Sequence, residues 1–318
     1  MKDYKIVYIC PYFGKFPEHF KLWLKSCEKN EDCKWVIYTD DKRKFDYPEN
    51  VIVNYCTLED LQKDFSKKLS FDVALKTIKK LGDYKPLYGY LFSDDIGEAL
   101  AWGHVDVNDS IYGKITNFLT DDILNKYDKI MTCGHMSVYK NTDEVNKRFM
   151  IPLKSGIDYK TIFTDDTFYN FEELAPISIT TIYKENEIEI KDMSEYYADI
   201  SIKYYNLRMG RIKENFDGYY VSKTSNMVFA WDNGNLYGFF KDKNNVKKKE
   251  YIYIHLKRRK LNVNICQDED KYIITQDGFM PYESITVNYI KEHDKHKLIY
   301  KTYLDIKIKS LKSKLGVE

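Results

Sequence analysis

Three residues near the start of the second hundred have the types and spacing that bind a hard cation. In Trp102 to Gly113, WGHVDVNDSIYG, Asp106 and Asn108 stand at i and i+2, with Asp109 beside them. Hard cations take carboxylate and carbonyl oxygens, and a divalent ion held there can neutralise the charge that leaves with a diphosphate. Short acidic clusters are also common as solvated turns, so the surroundings matter. Apolar Leu100, Ala101, Trp102 and Gly103 lead into the cluster. That places the carboxylates at the end of a buried strand, where α/β sheets open their ligand crevice.

The elements around this segment alternate. Lys5 to Cys10 (KIVYIC) is a β-rich apolar run that breaks at Pro11 to Gly14, and Pro17 to Ser26 has the apolar spacing of an amphipathic helix. A second strand, Lys34 to Thr39, ends at Asp40 and Asp41; a third, Val51 to Tyr55, leads into a helix begun by Thr57 and Glu59. This alternation predicts an α/β fold with a largely parallel sheet. Tyr84 to Gly97 reads as a helix, Thr120 to Lys126 as another, and Lys129 to Tyr139 as one or two strands. Beyond about residue 195 short β-like segments follow, and Asp232, Asn233 and Gly234 carry a hairpin signal. The tail from Ile285 to Glu318 is helix-like, with Leu304, Ile306, Ile308, Leu311 and Leu315 among lysines.

Composition narrows the classes. With 50 Lys/Arg against 49 Asp/Glu the chain is no dedicated nucleic-acid binder, although from Lys241 onward 18 basic residues face 11 acidic ones. Six scattered cysteines show no CxxC spacing, which suggests reduced thiols rather than a zinc ribbon or a disulfide framework. The N-terminus MKDYKIVYIC lacks signal-peptide features, and no apolar stretch reaches spanning length. A cytoplasmic protein is expected, touching a membrane only from its inner face.

At this point the sequence resembles a known group. WGHVDVNDSIYG, preceded by DYKPLYGYLF at Asp83 to Phe92 and followed by YDKIMTCGHMSVYKN at Tyr127 to Asn141, is similar to an uncharacterised bacterial family of predicted glycosyltransferases associated with capsule and surface-polysaccharide synthesis. ICPYFGKFP at Ile9 to Pro17, YTD at Tyr38 to Asp40, YADISIKYYNLRM at Tyr197 to Met209, VFAWDNGNLYGFF at Val228 to Phe240 and YIHLKRRK at Tyr253 to Lys260 share the resemblance, which runs from residue 1 to about 265. It implies a GT-A (Rossmann-like) fold with helices on both faces of a mixed, mostly parallel sheet, a nucleoside-diphosphate-sugar donor (UDP-sugar favoured), and Mn2+ or Mg2+. The family commonly has Cys-Asp-x-Asp where Val105, Asp106, Val107 and Asn108 stand here, so the second carboxylate is an amide in this chain.

The resemblance also implies site roles. Asp106, Asn108, Asp109 and His255 are the expected metal ligands. Tyr12 and Phe13 in the loop after the first strand, and Asp40 after the second, are expected at the nucleoside; Asp40 reads equally as a strand-ending turn residue. Asp83 and Lys85 could meet donor sugar and phosphate, or could simply start a helix at Pro86. Lys257 and Arg258 after His255 would face the diphosphate. His104 and His135 could line the cleft, with structural hydrogen bonding the favoured reading. Glu172 and Glu173 are the candidates for the general base that inversion needs, against a solvated helix start. Asp165 and Asp166 are weaker candidates of the same kind.

Three segments are expected: a nucleotide-sugar core over residues 1–195, a β-rich remainder of the catalytic domain over 196–265, and a C-terminal extension over 266–318 with a basic amphipathic helix. That helix either packs on the domain or sits peripherally on an anionic membrane. The expected activity is sugar transfer to a bacterial glycan or lipid-linked acceptor. The alternative is a catalytically degenerate glycan- or nucleotide-binding protein of a polysaccharide assembly system. A nucleotidyltransferase is disfavoured, because PYFGKF has one Gly and no Gly-rich basic phosphate loop.

Overall fold

In a computed structural model, which describes residues 3–222, 227–293 and 299–315, the chain is a mixed α/β protein with three sheets. The largest has seven strands in the order Val51–Tyr55, Cys33–Thr39, Ile6–Pro11, Ala101–Val105, Met136–Lys140, Lys129–Cys133, Ile190–Lys191. Of these, Met136–Lys140 alone runs against the others. The chain winds outward from Ile6–Pro11 on one side and returns to Ala101–Val105 on the other. Strand order therefore reverses between these two strands, which makes their carboxyl ends the expected ligand crevice.

Burial on both faces explains the near-continuous apolar runs. Val7 and Ile9 point into a cluster with Phe65, Tyr84 and Trp102, whereas Ile6, Tyr8 and Cys10 point into one with Phe20, Trp23 and Trp35. Helix Leu58–Leu69 covers the first face with Leu61, Phe65 and Leu69, and Thr57 and Asp60 close its N-terminus as a capping box. Helix Phe20–Glu28 covers the second with Phe20, Trp23 and Cys27. The second cluster also holds Tyr253 and Phe279, so one apolar core joins N-terminal, middle and C-terminal segments.

A five-stranded sheet does the positioning. Its order is Tyr219–Val221, Met209–Ile212, Ala198–Ile200, Tyr253–His255, Ser110–Tyr112. Ser110–Tyr112 follows the acidic segment directly, and His255 is in register with Ser110 on one side and Asp199 on the other. The third sheet has six strands and includes the hairpin Met227–Asp232 and Asn235–Asp242. Its two-residue turn has positive φ at Asn233 (45°) and Gly234 (92°), as the sequence signal requires.

Two helical expectations are redrawn. The helix read over Tyr84 to Gly97 is a 3-10 stretch, Lys80–Leu87, followed by two four-residue turns, Tyr88–Leu91 and Ser93–Ile96. Pro86 inside the 3-10 stretch removes a backbone donor, and Phe92 (φ −121°, ψ 31°) leaves helical geometry between the two turns. The tail forms Val287–Glu292 and Lys301–Leu315, and the side chain of Leu315 lies outside the described ones.

Gly103 lets the central strand fit. A Cβ there would stand 2.6 Å from the Ser137 carbonyl oxygen and 2.9 Å from the Tyr8 ring. Gly103→Ala is expected to destabilise the protein by about 1–3 kcal/mol, read as a lower urea midpoint with an unchanged m-value.

Candidate functional site

Asp106 is the first residue beyond the fully buried strand Ala101–Val105, and its N–H donates to the His135 carbonyl at 3.1 Å. Lys85, brought in by the 3-10 stretch, donates to Asp106 Oδ1 at 2.9 Å and to the Gly134 carbonyl at 2.7 Å. Burial alone would raise the Asp106 carboxyl, but Lys85 and His255 outweigh it and the net shift is downward. Burial likewise opposes the Lys85 ammonium, whereas Asp106, Glu172 and Glu173 raise it. The pair is therefore held charged.

His255 is buried between two carboxylates. Its Nδ1 donates to Asp199 Oδ1 at 2.9 Å, and its Nε2 lies 3.9 Å from Asp106 Oδ2. Asp199 also receives Lys257 Nζ at 2.5 Å on Oδ2. Burial pushes the Asp199 carboxyl up, but the His255 hydrogen bond and the Lys257 ammonium hold it far below its ordinary range. His135 lies against His255 with ring centroids 4.1 Å apart and planes 23° apart, and its Nδ1 pairs with the Tyr253 hydroxyl at 2.9 Å.

Ligand atoms of His135, Asp199 and His255 all lie within 4.8 Å of one another. Their orientation decides what they can do together. The two rings are stacked face to face, so their in-plane lone pairs run side by side instead of converging on one point. The gap between His255 Nε2 and Asp106 Oδ2 fits a cation better: two ligand atoms about 2.1 Å from one ion stand roughly 3–4 Å apart. In that arrangement Asp199 fixes the His255 tautomer, as carboxylates do behind metal-binding imidazoles.

The acidic loop converges on the same place. Asp83 is fully buried and accepts from Lys80 Nζ (3.0 Å) and from the backbone N–H groups of Tyr169 (3.0 Å) and Phe171 (2.9 Å). It thereby pins the loop that carries Glu172 and Glu173. Glu173 Oε1 accepts from the Gly134 N–H at 3.1 Å. Glu172 is only 6% exposed, Oε2 has no hydrogen-bond partner, and burial pushes its carboxyl up to about 7 despite Lys85.

At the ends of the first two strands, Gly14, Lys15, Asp40, Asp41, Lys42 and Arg43 line an open recess. Asp40 is exposed and accepts from the Gly14 N–H at 2.7 Å, while the Tyr12 hydroxyl donates to the Lys15 carbonyl at 3.1 Å. Asp41 is turned inward onto Arg43 and the Phe16 N–H.

The fold thus gathers Asp106, Lys85, His255, Lys257, Glu172 and Glu173, and sets Asp40 at the recess, with Tyr12 bonded to Lys15 of its lining. Phe13, His104 and Asp83 are committed elsewhere. Phe13 packs into the apolar core and His104 is fully buried within the sheet, because both sit on inward-facing positions of their segments. Asp83 spends both oxygens inside the protein and has none for a donor sugar. The backbone carbonyl of Asn108 pairs with His19 Nε2 at 2.9 Å. Asp109 is buried; its carbonyl accepts from the Leu256 N–H, and burial raises its carboxyl. Among the described His, Cys, Asp and Glu residues, Asp109 is not part of a three-residue cluster with His255; the cluster there contains His135 and Asp199. Arg258 is exposed, and both Lys257 and Arg258 have positive φ (46° and 55°), an uncommon conformation that concentrates at working sites. Asp165 bonds Tyr169 and Asp166 pairs with Lys76 at the surface.

Sequence reasoning gave His135 a structural role and passed over Asp199. A signal for Asp199 exists, since a carboxylate in an otherwise apolar strand, Ala198–Ile200, is the kind of buried polar residue that needs a partner.

Glu172 supplies a pH test. A carboxyl raised from 4.5 to about 7 stabilises the fold fully below its unfolded value, and that contribution is lost as pH rises through 7. Between pH 4.5 and 7.5 the stability difference between wild type and Glu172→Gln should shift against wild type, by at most about 3 kcal/mol, in urea titrations.

No curated protein matches the chain. A family model does match it, over residues 8–283. On that match the chain belongs to DUF6625, a family of unknown function.

Proposed function

We propose that this chain is a metal-assisted glycosyltransferase of GT-A type, moving a sugar from a nucleoside diphosphate to a bacterial glycan or lipid-linked acceptor. The observation that carries the reading is Asp106 at the carboxyl end of the central strand, beside the reversal of strand order, with His255 Nε2 facing it at 3.9 Å. The seven-stranded sheet, parallel except for one strand, and the recess at Asp40 support it.

Within this reading Asp106 and His255 hold the cation, and Asp199 orients the imidazole. A divalent ion there supplies charge neutralisation for the departing nucleoside diphosphate, and the imidazole in the set favours Mn2+ over Mg2+. Lys85 and Lys257 are the ammonium groups within reach of donor phosphate once they release their carboxylates. Arg258 adds an exposed guanidinium. Asp40 and Tyr12 border the nucleoside. Of the acidic pair, Glu172 has the carboxyl near 7 that suits proton removal from an acceptor hydroxyl once its buried Oε2 is uncovered, while Glu173 holds the Gly134 turn.

Two observations favour a second reading, a degenerate nucleotide- or glycan-binding protein. Lys85 already supplies Asp106 with a positive charge, and Asn108 brings no second carboxylate. Calorimetry with UDP-, GDP- and CMP-sugars, with and without Mn2+, separates the two. The transferase reading expects one donor, a UDP-sugar, to bind at least tenfold more tightly with Mn2+, and Asp106→Ala to abolish that gain. Donor binding indifferent to metal favours the second reading. Absence of heat with every donor from folded protein sinks both.

A further inference from the structure

Helix Lys301–Leu315 leaves Leu304, Ile306, Ile308 and Leu311 in solvent. Leu304, Ile308 and Leu311, spaced i, i+4, i+7, form one stripe and are 44%, 53% and 58% exposed. At about 100° per residue, Lys301 and Lys312 fall along one edge of that stripe and Lys307 along the other. The helix has five lysines and a single acid, Asp305, and Ile306 lies on the opposite face. From the stripe and its charged borders, we infer that this helix is a docking element for the surface of an anionic lipid bilayer.

Two alternatives fit the pattern less well. At 15 residues the helix is about 22 Å long, short of the ~30 Å hydrocarbon core, and no helix among the described residues is long and apolar enough to cross a membrane. A second copy of the helix would find only two heptads of apolar seam, fewer than a coiled coil sustains, bordered on both edges by lysines that repel their like. An anionic surface takes both features. The stripe enters the acyl boundary, and the flanking lysines extend their stems along it with ammonium groups at the phosphates.

The base of the helix is fixed to the wall of the candidate site. Tyr300 is buried; its N–H donates to the Lys203 carbonyl at 3.1 Å and its hydroxyl accepts from the Lys260 N–H at 3.0 Å. Arg259 lies over its ring at 5.0 Å. Arg259 and Lys260 follow His255 by four and five residues, so docking would hold this rim at the bilayer surface, where lipid-linked molecules are met. The inference stands apart from the transferase reading, and its test uses no donor.

The test is sedimentation of the full chain with vesicles of phosphatidylcholine, alone or mixed with phosphatidylglycerol. Binding is expected to the mixed vesicles only, weakening as salt rises. Lys301→Glu with Lys307→Glu should reduce partitioning about tenfold or more. Leu304→Ser, Ile308→Ser and Leu311→Ser together should remove it, with far-UV circular dichroism showing the rest of the fold retained. No binding to mixed vesicles, equal binding to phosphatidylcholine alone, or unchanged binding by the serine variant would each overturn the inference. So would a concentration-dependent dimer that the same serine substitutions disperse.

Discussion

The ammonium of Lys85 ties a 3-10 stretch to two segments that the sheet already holds side by side. It links the 3-10 stretch that carries it, the end of the central strand at Asp106, and the turn at Gly134. An ion pair with this little exposure gains nothing for stability unless its desolvation is offset by good geometry and further hydrogen bonds. Here the carbonyl of Gly134 and the nearby Glu172 and Glu173 provide that offset. The same arrangement keeps Asp106 ionised at a strand end, where desolvation alone would raise its carboxyl. Everything proposed for the site depends on that charge.

Around this pair the protein stacks groups of opposing preference. Asp199 is kept ionised by His255 and Lys257, whereas Glu172 is pushed up by burial. Carboxyls driven apart in this way can do different work at one pH: one stays a fixed charge and the other exchanges a proton. The strained backbone at Lys257 and Arg258, and the left-handed Met131 in the bulged strand before Gly134, border the same cluster. Strain of this kind persists only where surrounding structure enforces it.

Much of the α/β frame is legible in the sequence because its signals are local. KIVYIC, KWVIYT and the Asn233–Gly234 turn each carry their structure in six residues or fewer. Asp106 is legible by position, as the first acid after a buried run. The partners of His255 are not. Asp199 is 56 residues away, and His135 meets Tyr253 across 118 residues. Such pairings are set by which strands become neighbours, and that depends on how two sheets share one core. Asp83 and Phe13 show the same limit from the other side. Their residue types suit a binding site, but the direction of each side chain is fixed by packing from distant segments, Tyr169–Phe171 for one and the helical layer for the other.

The central claim is that Asp106 and His255 share a cation beneath a bound diphosphate. Anomalous diffraction at the manganese edge, from crystals grown with Mn2+ and a nucleoside diphosphate, tests it most directly. The account predicts one strong peak between Asp106 Oδ2 and His255 Nε2, about 2.2 Å from each, with Lys85 moved off the carboxylate. A crystal with nucleotide in the cleft, no peak at that position and Lys85 still bonded to Asp106 would contradict it.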